Sequence, residues 1–419
     1  MLVLWKHNMK FKNVTDVVSW RLCVGCGACA AVCPEKKITL VDFIDHGIRP
    51  VVSSNDCGTC MDCLKVCPGI GNSHIFDHGD HGMKNLRYKW GPIIEIWEGY
   101  ATDPDLRYCG SSGGVASALA LYGVEKEGMQ GVLHVGYESE NPWVNKTVFS
   151  NSRDDLLSRT GSRYSPASPC DGLDLVESSE GACIFIGKPC DINALRNIQS
   201  LRPELKDKIG AAIGIFCAGT PSTRGTLQLL ENIDVNPTEI KEIKYRGKGW
   251  PGAFTIESNN NDGTLCKLSY MDSWGFLQKY RPYRCYLCPD GTSERADISC
   301  GDPWYREIKE NEHGYSLVLV RTETGRKIVD GAMKAGYVTL EKAAPSIMDA
   351  SQKNLLSKRG EIWGRLFTMK LLGIPTPQYR GIPLFKNWLR LSVARKIRSI
   401  VGTARRIIQR KYYVALKLG

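Results

Sequence analysis

The stretch Arg281-Pro-Tyr-Arg-Cys-Tyr-Leu-Cys-Pro-Asp-Gly-Thr-Ser-Glu-Arg-Ala-Asp-Ile-Ser-Cys-Gly-Asp-Pro-Trp304 organises this chain of 419 residues. It places Cys285 and Cys288 at CxxC spacing, at which both thiolates can reach one metal centre, and the Pro-Asp-Gly sequence after them favours a turn. Two thiolates leave a four-coordinate site incomplete, so the missing ligands must come from distant cysteines. Cys190, after Gly-Lys-Pro, and Cys217, within Phe-Cys-Ala-Gly, stand in similar settings. We therefore predict that these four cysteines form one buried metal site.

A second cysteine pattern occurs twice near the N-terminus. Cys23-Val-Gly-Cys-Gly-Ala-Cys-Ala-Ala-Val-Cys-Pro34 is repeated as Cys57-Gly-Thr-Cys-Met-Asp-Cys-Leu-Lys-Val-Cys-Pro68. The run CxxCxxCxxxCP holds the cubane clusters of bacterial-type ferredoxins, in which the fourth cysteine of each run ligates the other cluster. We predict two 4Fe-4S clusters, one held by Cys23, Cys26, Cys29 and Cys67 and the other by Cys57, Cys60, Cys63 and Cys33. Paired zinc sites are the alternative, but zinc motifs rarely use a third cysteine at this spacing.

Four motifs together resemble the family of coenzyme F420 hydrogenase and dehydrogenase beta subunits. They are Gly187-Lys-Pro-Cys190, Phe216-Cys-Ala-Gly219, Cys285-Tyr-Leu-Cys-Pro-Asp290 and Ala296-Asp-Ile-Ser-Cys-Gly-Asp-Pro-Trp304. The resemblance covers roughly residues 20–345, well over half of the chain. It implies that the four-cysteine site holds a third 4Fe-4S cluster. It also implies that the protein binds a flavin, FAD, and that this flavin exchanges a hydride with coenzyme F420. Relatives with this core include a chlorophyll-pathway reductase, so the substrate does not follow from the fold.

Two polar segments are candidates for binding the flavin. The first is a Gly-rich turn before a helix, where backbone amides attract anions and glycines let a phosphate approach. The second combines hydroxyls, a glycine, an arginine and an aromatic ring. The alternative for the first segment is a serine that caps a core helix, and the alternative for the second is a polar surface turn. The family resemblance favours cofactor binding for both segments. The candidates are Ser111, Ser112, Gly113, Gly114 and Ser117 in the first segment, and Thr160, Gly161, Ser162, Arg163 and Tyr164 in the second.

Lys188 and Asp302 are the predicted catalytic residues beside the flavin ring. A lysine near the pyrimidine edge stabilises the anion of a reduced flavin, whereas surface ion pairing is the alternative for both residues. The expected activity is exchange of a hydride pair with a small-molecule carrier and of single electrons with ferredoxin or another redox protein. A non-enzymatic electron-transfer subunit of a larger complex is the alternative function.

Strand-like and helical segments alternate from Ile93 to Leu340, which is typical of α/β units. We predict an α+β or α/β protein with a two-cluster ferredoxin-like domain and linker over residues 1–84. A mixed α/β flavin and iron-sulfur domain follows over residues 85–345, and a helical basic extension over residues 346–419. Cys190 and Cys217 each follow a predicted strand, at the sheet edge where open α/β folds bind ligands. The glycine-rich and histidine-rich segment 69–92 is predicted to be a solvated linker rather than a metal site.

Composition and charge bear on the location of the protein. No apolar run approaches the roughly 18 residues that span a bilayer, and the N-terminus lacks the apolar core of a signal peptide. We therefore expect a cytoplasmic protein, in which thiols stay reduced and available as metal ligands. The net charge is +11. Thirteen Lys or Arg and no Asp or Glu occur from Ile362 to Gly419, so the basic charge is concentrated in the extension.

The extension also contains an amphipathic pattern from Leu384 to Val414. A 3.6-residue period groups apolar side chains on one side of a helix and arginines on the other. One prediction is peripheral binding to an anionic membrane surface at the inner face of the membrane, with Trp388 at the boundary. Docking onto the chain's own body is an equal alternative, and no nucleic-acid partner is expected. The apolar set is Leu389, Val393, Ile397, Ile400, Val401, Ala404, Ile407, Ile408 and Tyr412.

Overall fold

The N-terminal part of the protein is built from short elements around the cysteine runs. A computed structural model describes residues 11–53, 60–75, 82–258, 263–309 and 312–418. An antiparallel pair, β1 with β2, lies between the two cysteine runs. The elements are α1 (Val14–Ser19), α2 (Ala28–Ala31), β1 (Ile38–Phe43), β2 (Gly47–Val52), α3 (Asp62–Lys65), β3 (Gly71–Ser73) and α4 (Arg87–Trp90).

The middle of the chain alternates strands and helices, so the predicted mixed α/β fold is confirmed. Its first half contains β4 (Glu95–Ala101), α5 (Pro104–Cys109), α6 (Val115–Glu125), β5 (Val132–Tyr137), β6 (Asn145–Ser150), α7 (Arg153–Ser158), α8 (Leu173–Glu177), β7 (Cys183–Gly187), α9 (Pro189–Leu201) and α10 (Leu205–Lys208). Its second half contains β8 (Ile209–Ile215), α11 (Thr223–Glu231), β9 (Ile240–Lys244), β10 (Ala253–Ser258), β11 (Thr264–Ser269), α12 (Tyr270–Leu277), α13 (Tyr283–Tyr286), β12 (Ile298–Gly301), β13 (Ser316–Val320), α14 (Glu323–Lys334) and β14 (Val338–Lys342).

Eight of these strands form one mixed sheet, in the order β14-β4-β13-β12-β8-β7-β5-β6. The neighbours β5, β7, β8 and β12 are parallel, and their pairings with the outer strands are antiparallel. Both β7 and β8 are nearly continuous apolar runs, as strands covered on both faces require. Helices α6 and α14 pack on one face, and α8 and α9 on the other. The parallel strands β7 and β8 therefore end at the same edge, and this edge carries the site.

The C-terminal extension folds against the rest of the protein. It contains α15 (Ile347–Ser351), α16 (Lys353–Leu371), β15 (Gln378–Arg380), α17 (Leu384–Leu389) and α18 (Val393–Gln409). Strand β15 pairs with β3 in parallel, and α18 packs on α16. Side chains of α16 and α18, among them Ile362 and Ile407, share a core with Val17 of α1 and Leu287 after α13. The three predicted segments thus pack together, and the division at residues 84 and 345 stays a prediction.

The tail, which is the part of the extension from Leu384 to Val414, differs from the single amphipathic helix that the sequence predicts. It consists of two helices, because α17 ends at Leu389 and α18 begins at Val393. The buried side of α18 is formed by Ser399, Thr403 and Ile407 rather than by the whole apolar set. Nε1 of Trp388, which was expected at a membrane boundary, donates a 3.0 Å hydrogen bond to Oγ of Ser399. This side of the tail therefore packs on the rest of the chain, which was the alternative to membrane binding.

The solvated-linker prediction for residues 69–92 is wrong for the described part of that segment. His74 and Trp90 are buried, and Nδ1 of His74 lies 3.0 Å from Oε2 of Glu294. Backbone pairing of β3 with β15 brings this stretch into the interior, where a distant carboxylate meets the imidazole. His78 and His81 lie outside the described residues. None of the described helices has the length and apolarity needed to cross a membrane.

Candidate functional site

The four cysteines of the predicted third cluster line one cavity at the edge of the sheet. Its empty space, which is partly open to solvent, is about 800 Å³. Cys190 lies in the first turn of α9, directly after β7, and Cys217 follows β8. The backbone nitrogen of Cys217 donates a 2.9 Å hydrogen bond to the carbonyl of Gly291, which holds the turn after Cys288 beside it. Parallel strands and this turn thus bring together Cys190, Cys217, Cys285 and Cys288.

Cations surround these thiols. Lys188, Arg284 and Lys358 line the same cavity. Desolvation raises the pKa of the Cys217 thiol to about 11, and the neighbouring Lys358 and Lys188 act against that rise. Burial likewise raises the pKa of the Cys288 thiol, against the charges of Lys358 and Arg284. These positive charges around the four thiols make the cavity suitable for an anionic group.

The donor set fits a 4Fe-4S cluster, which takes four thiolates and carries net negative charge. Nη1 of Arg284 is buried without a hydrogen-bond partner among the described residues, as expected where an anion belongs. In the described ranges, no three His, Cys, Asp or Glu side chains converge closely enough to hold a single metal ion.

The ferredoxin cysteines of the first predicted cluster also meet at one cavity. Its empty space is about 360 Å³, and Leu40 and Pro50 of the β1–β2 pair close one side. Burial raises the pKa of the Cys67 thiol to about 12. Of the second predicted set, Cys33, Cys60 and Cys63 are described, and Cys57 lies outside the described residues. The cysteines at the cavity are Cys23, Cys26, Cys29 and Cys67.

The two candidate flavin segments lie side by side. The backbone nitrogen of Ser162 donates to Oγ of Ser111, and Oγ of Ser117 lies 3.1 Å from Oγ1 of Thr160. This contact places the hydroxyls of the second segment beside the N-terminus of α6, which begins after Gly114. The two segments, far apart in sequence, therefore form one polar surface.

Arg163 and Tyr164 have protein partners in this region. Arg163 donates from Nη1 to the carbonyl of Ile243 at 3.2 Å, and its other nitrogens donate to Asn145 and Pro142. The Tyr164 ring packs against Trp274 with centroids 4.8 Å apart. All three guanidinium nitrogens of Arg163 thus have protein partners in this conformation, so its candidate role in binding the flavin stays a prediction.

Close packing of the backbone, rather than the approach of a phosphate, explains why positions 113 and 114 are glycines. A Cβ on Gly113 would lie 2.6 Å from the carbonyl oxygen of Gly99 and 2.8 Å from the backbone nitrogen of Ser316. Gly114 has φ of +72° and would collide with the carbonyl of Leu106. Such conformations and contacts favour glycine. Backbone atoms of other segments occupy the space that side chains at these two positions would need. A bulky substitution would therefore disturb the fold before it tested flavin binding.

The two predicted catalytic residues lie in different settings. Lys188 lines the cysteine cavity, and its Nζ lies 2.7 Å from Oδ2 of Asp191. Asp302 accepts a 2.8 Å hydrogen bond from Nη1 of Arg246 and a 3.0 Å hydrogen bond from Nε1 of Trp250. The Asp302–Arg246 pair is mostly buried, so it is not a surface pair.

Sequence reasoning missed several charged residues that lie in the interior or at the cysteine cavity. Arg246 pairs with Asp302, Lys358 lines the cysteine cavity, and Arg359 pairs with Glu294. These residues have no motif spacing of their own. Sequence reasoning also missed Arg284, for which a signal was available: it directly precedes Cys285.

The fold and the cysteine sites define an iron-sulfur protein with an N-terminal 4Fe-4S domain. Residues 96–173 match the N-terminal family model of the coenzyme F420 hydrogenase/dehydrogenase beta subunit, and residues 181–346 match the C-terminal model. Residues 22–69 match a 4Fe-4S dicluster domain. The chain belongs to the family of coenzyme F420 hydrogenase/dehydrogenase beta subunits, as its motifs suggested.

Relatives cover most of the chain at low identity. A protein of the F(420)H(2) dehydrogenase of Methanosarcina mazei is 24% identical over 375 residues, which are 86% of this chain and 92% of that protein. The beta subunit of the coenzyme F420 hydrogenase of Methanosarcina barkeri is 26% identical over 297 residues, 64% of this chain and 93% of that protein. A chain of the F420-reducing NiFe hydrogenase complex from Methanosarcina barkeri has a TM-score of 0.55 at 22% identity. It is matched over 98% of its length and 70% of this chain, which shows a shared fold.

Proposed function

We propose that this protein passes electrons between coenzyme F420, as hydride carrier, and a ferredoxin or another one-electron redox protein. FAD and three 4Fe-4S clusters are the proposed cofactors; bound FAD would exchange a hydride pair with the carrier and single electrons with iron-sulfur centres. The observation that carries the proposal is that Cys23, in the first ferredoxin run, lines the same cavity as the four third-site cysteines. Neighbouring cysteine sets favour transfer between their clusters.

The protein's own residues would hold and shield these groups. The four third-site thiols would ligate one cluster, and the ferredoxin cysteines, Cys57 included, would ligate the other two. The Lys188 ammonium, paired with Asp191 in the cavity wall, would supply positive charge near a reduced cofactor. Cys190 and Cys217, partly buried at the strand ends, would hold the cluster at the inner side of the cavity.

FAD binding is proposed for the polar surface formed by the two serine-containing segments. The amides at the start of α6 and the hydroxyls of Ser111 and Ser112 are suited to a phosphate. Ser117 and Thr160 would shape the same surface, because the Ser117 hydroxyl donates to Thr160 and the Thr160 hydroxyl donates to the carbonyl of Leu156. Gly161 to Tyr164 would border the same surface. Family membership supports this assignment.

Asp302, the second predicted catalytic residue, would act through its ion pair with Arg246 rather than directly on the flavin.

The test is turnover of reduced coenzyme F420 by the anaerobically reconstituted chain with a viologen as one-electron acceptor. We expect flavin in the purified protein and return of the absorbance of oxidised coenzyme F420 on mixing. A Cys266→Ser variant, altered on β11, should retain full activity. If the chain exchanges electrons with reduced ferredoxin yet leaves reduced coenzyme F420 unchanged, it is an electron-transfer subunit instead.

We also propose that the tail binds an anionic lipid surface, which would make the protein peripheral at the inner face of the membrane. The side of α18 away from α16 exposes Val393 by 70%, Ile397 by 56%, Val401 by 59% and Ile408 by 61%. Exposed arginines at positions 398 and 405 border this stripe. Because no acidic residue follows Glu361, the positive charge is uncompensated and matches anionic headgroups.

Flotation with vesicles containing phosphatidylglycerol should carry the full chain upward at low salt and less of it at high salt. Each Lys or Arg near the surface contributes about 1 kcal/mol, and this contribution is screened by salt. An Ile397→Ser/Val401→Ser double variant should stay at the bottom, because the exposed stripe is lost while the docked side of α18 is kept. Leu265→Ser, which changes an exposed apolar residue elsewhere, is the matched control. If the unmodified chain fails to float at low salt, the lipid proposal is wrong and the stripe serves a protein partner.

A further inference from the structure

Arg284 is a buried cation between two sets of cysteines. Its side chain is among the largest fully buried ones of the described residues, with 2% of the residue exposed. It precedes Cys285 on α13 and lines the large cavity together with Cys23. A buried guanidinium requires partners, because removing its charge from water is costly.

Two nitrogens of Arg284 hold the ferredoxin segment. Nε donates a 3.1 Å hydrogen bond to the carbonyl of Gly69, and Nη2 donates a 2.9 Å hydrogen bond to the carbonyl of Pro68. These carbonyls directly follow Cys67, which is predicted to cross over to the first cluster. Arg284 therefore ties the backbone at a ligand of one cluster to the turn that carries a ligand of the other.

The remaining nitrogen points to an anion. Nη1 is buried and makes no hydrogen bond within the described part of the chain. Arg284 lines the same cavity as Cys190, Cys285 and Cys288. Its hydrogen bonds to the carbonyls of Pro68 and Gly69 place it beside the backbone that directly follows Cys67. One cation is thus close to thiols of both sites.

The C-terminal extension holds Arg284 in this position. The guanidinium carbon lies 5.6 Å from the centre of the Tyr379 ring, on strand β15. The Tyr379 hydroxyl donates a 2.8 Å hydrogen bond to the carbonyl of Leu287, next to Cys288. The side chain is therefore fixed by the ferredoxin segment, the cysteine turn and the extension together.

We propose that Arg284 is a positioning residue shared by two clusters, which holds the first ferredoxin cluster against the third and supplies positive charge to both. This inference rests on the proposed function, since it requires both clusters to be present. Reduction adds negative charge to a cluster, so a nearby buried cation favours the reduced form. Loss of the Arg284 charge should therefore make both midpoint potentials more negative.

The experiment compares Arg284→Met and Arg284→Lys with the unmodified, anaerobically reconstituted chain. Iron per chain is measured first, and each cluster is then titrated potentiometrically with detection by electron paramagnetic resonance. Arg284→Met should lower the potentials of two clusters, and Arg284→Lys should restore both in large part because it keeps the charge. If Arg284→Met loses iron, recovery of full iron in Arg284→Lys supports the same role.

Lys358→Met is the matched control. Lys358 acts on the thiols of Cys217 and Cys288, so its loss should lower the potential of the third cluster alone. The inference is overturned if Arg284→Met at full iron content shifts one potential or none. It is also overturned if both Arg284 variants lose iron while Lys358→Met keeps it, because the role is then merely structural. Absence of the third cluster from the unmodified chain would instead overturn the proposed function, and the inference with it.

Discussion

Replacing Cys285 by serine should lower the iron content from about twelve to about eight atoms per chain, the loss of one four-iron cluster of three. The ferredoxin cysteines all precede Gly69, so their clusters should remain. Iron and acid-labile sulfide measured after anaerobic reconstitution report the stoichiometry. Turnover of reduced coenzyme F420 with a ferredoxin as acceptor should be abolished, because the proposed route between flavin and ferredoxin clusters is interrupted.

Cys288→Ser should give the same result, and Cys266→Ser should retain all of its iron. About eight atoms in the unmodified chain would contradict a third cluster. Loss of all iron from Cys285→Ser would mean that this turn supports the whole protein. That outcome has a structural basis, because Tyr283 and Leu287 beside the cysteines belong to the core shared with the ferredoxin segment.

Replacing Asp302 by alanine should destabilise the protein by about 3–5 kcal/mol, the typical cost of removing one partner of a buried ion pair. Arg246 is 3% exposed and would lose its carboxylate partner, and the indole Nε1 of Trp250 would lose its acceptor. The measurement is the midpoint of anaerobic urea unfolding, followed by tryptophan fluorescence.

A double variant, Asp302→Leu with Arg246→Met, is the control for this prediction. Replacement of a buried ion pair by apolar residues is often neutral, so the double variant should recover much of the lost stability. If Asp302→Ala unfolds at the same urea concentration as the unmodified chain and loses only turnover, Asp302 acts directly in catalysis, as the sequence motif predicts.

Cysteine spacing made the iron-sulfur character predictable. The CxxCxxCxxxCP run encodes its ligand geometry locally, because a short loop must place successive thiolates around one cluster. The third site required ligands that are distant in sequence: Cys190 and Cys217 were assigned from their motif settings, and their places after apolar strands supported the assignment, because parallel strands end at the same edge. The cavity that joins them to Cys285 and Cys288 agrees with that reasoning.

The tail shows where periodicity alone fails. A 3.6-residue pattern gives the orientation of side chains around a helix, but it does not distinguish a face that packs on protein from a face that meets another phase. Ser399 and Thr403 are buried against α16, whereas Val393 and Ile397 are exposed, the reverse of what polarity suggests. Gly364 makes this possible, because its missing side chain leaves room for Ser399.

The sequence by itself indicated the family through its motifs, the alternating α/β architecture, and the first ferredoxin set and the third-site set of cysteines, because these depend on short motifs, local spacing and strand ends. Only the tertiary structure decided which charges meet in the interior: Arg246 with Asp302, His74 with Glu294, and Arg284 with the carbonyls after Cys67. Each pair joins segments that are distant along the chain. A buried charge is stable only where packing supplies its partner, and the choice of partner is made by the fold as a whole rather than by neighbours in sequence.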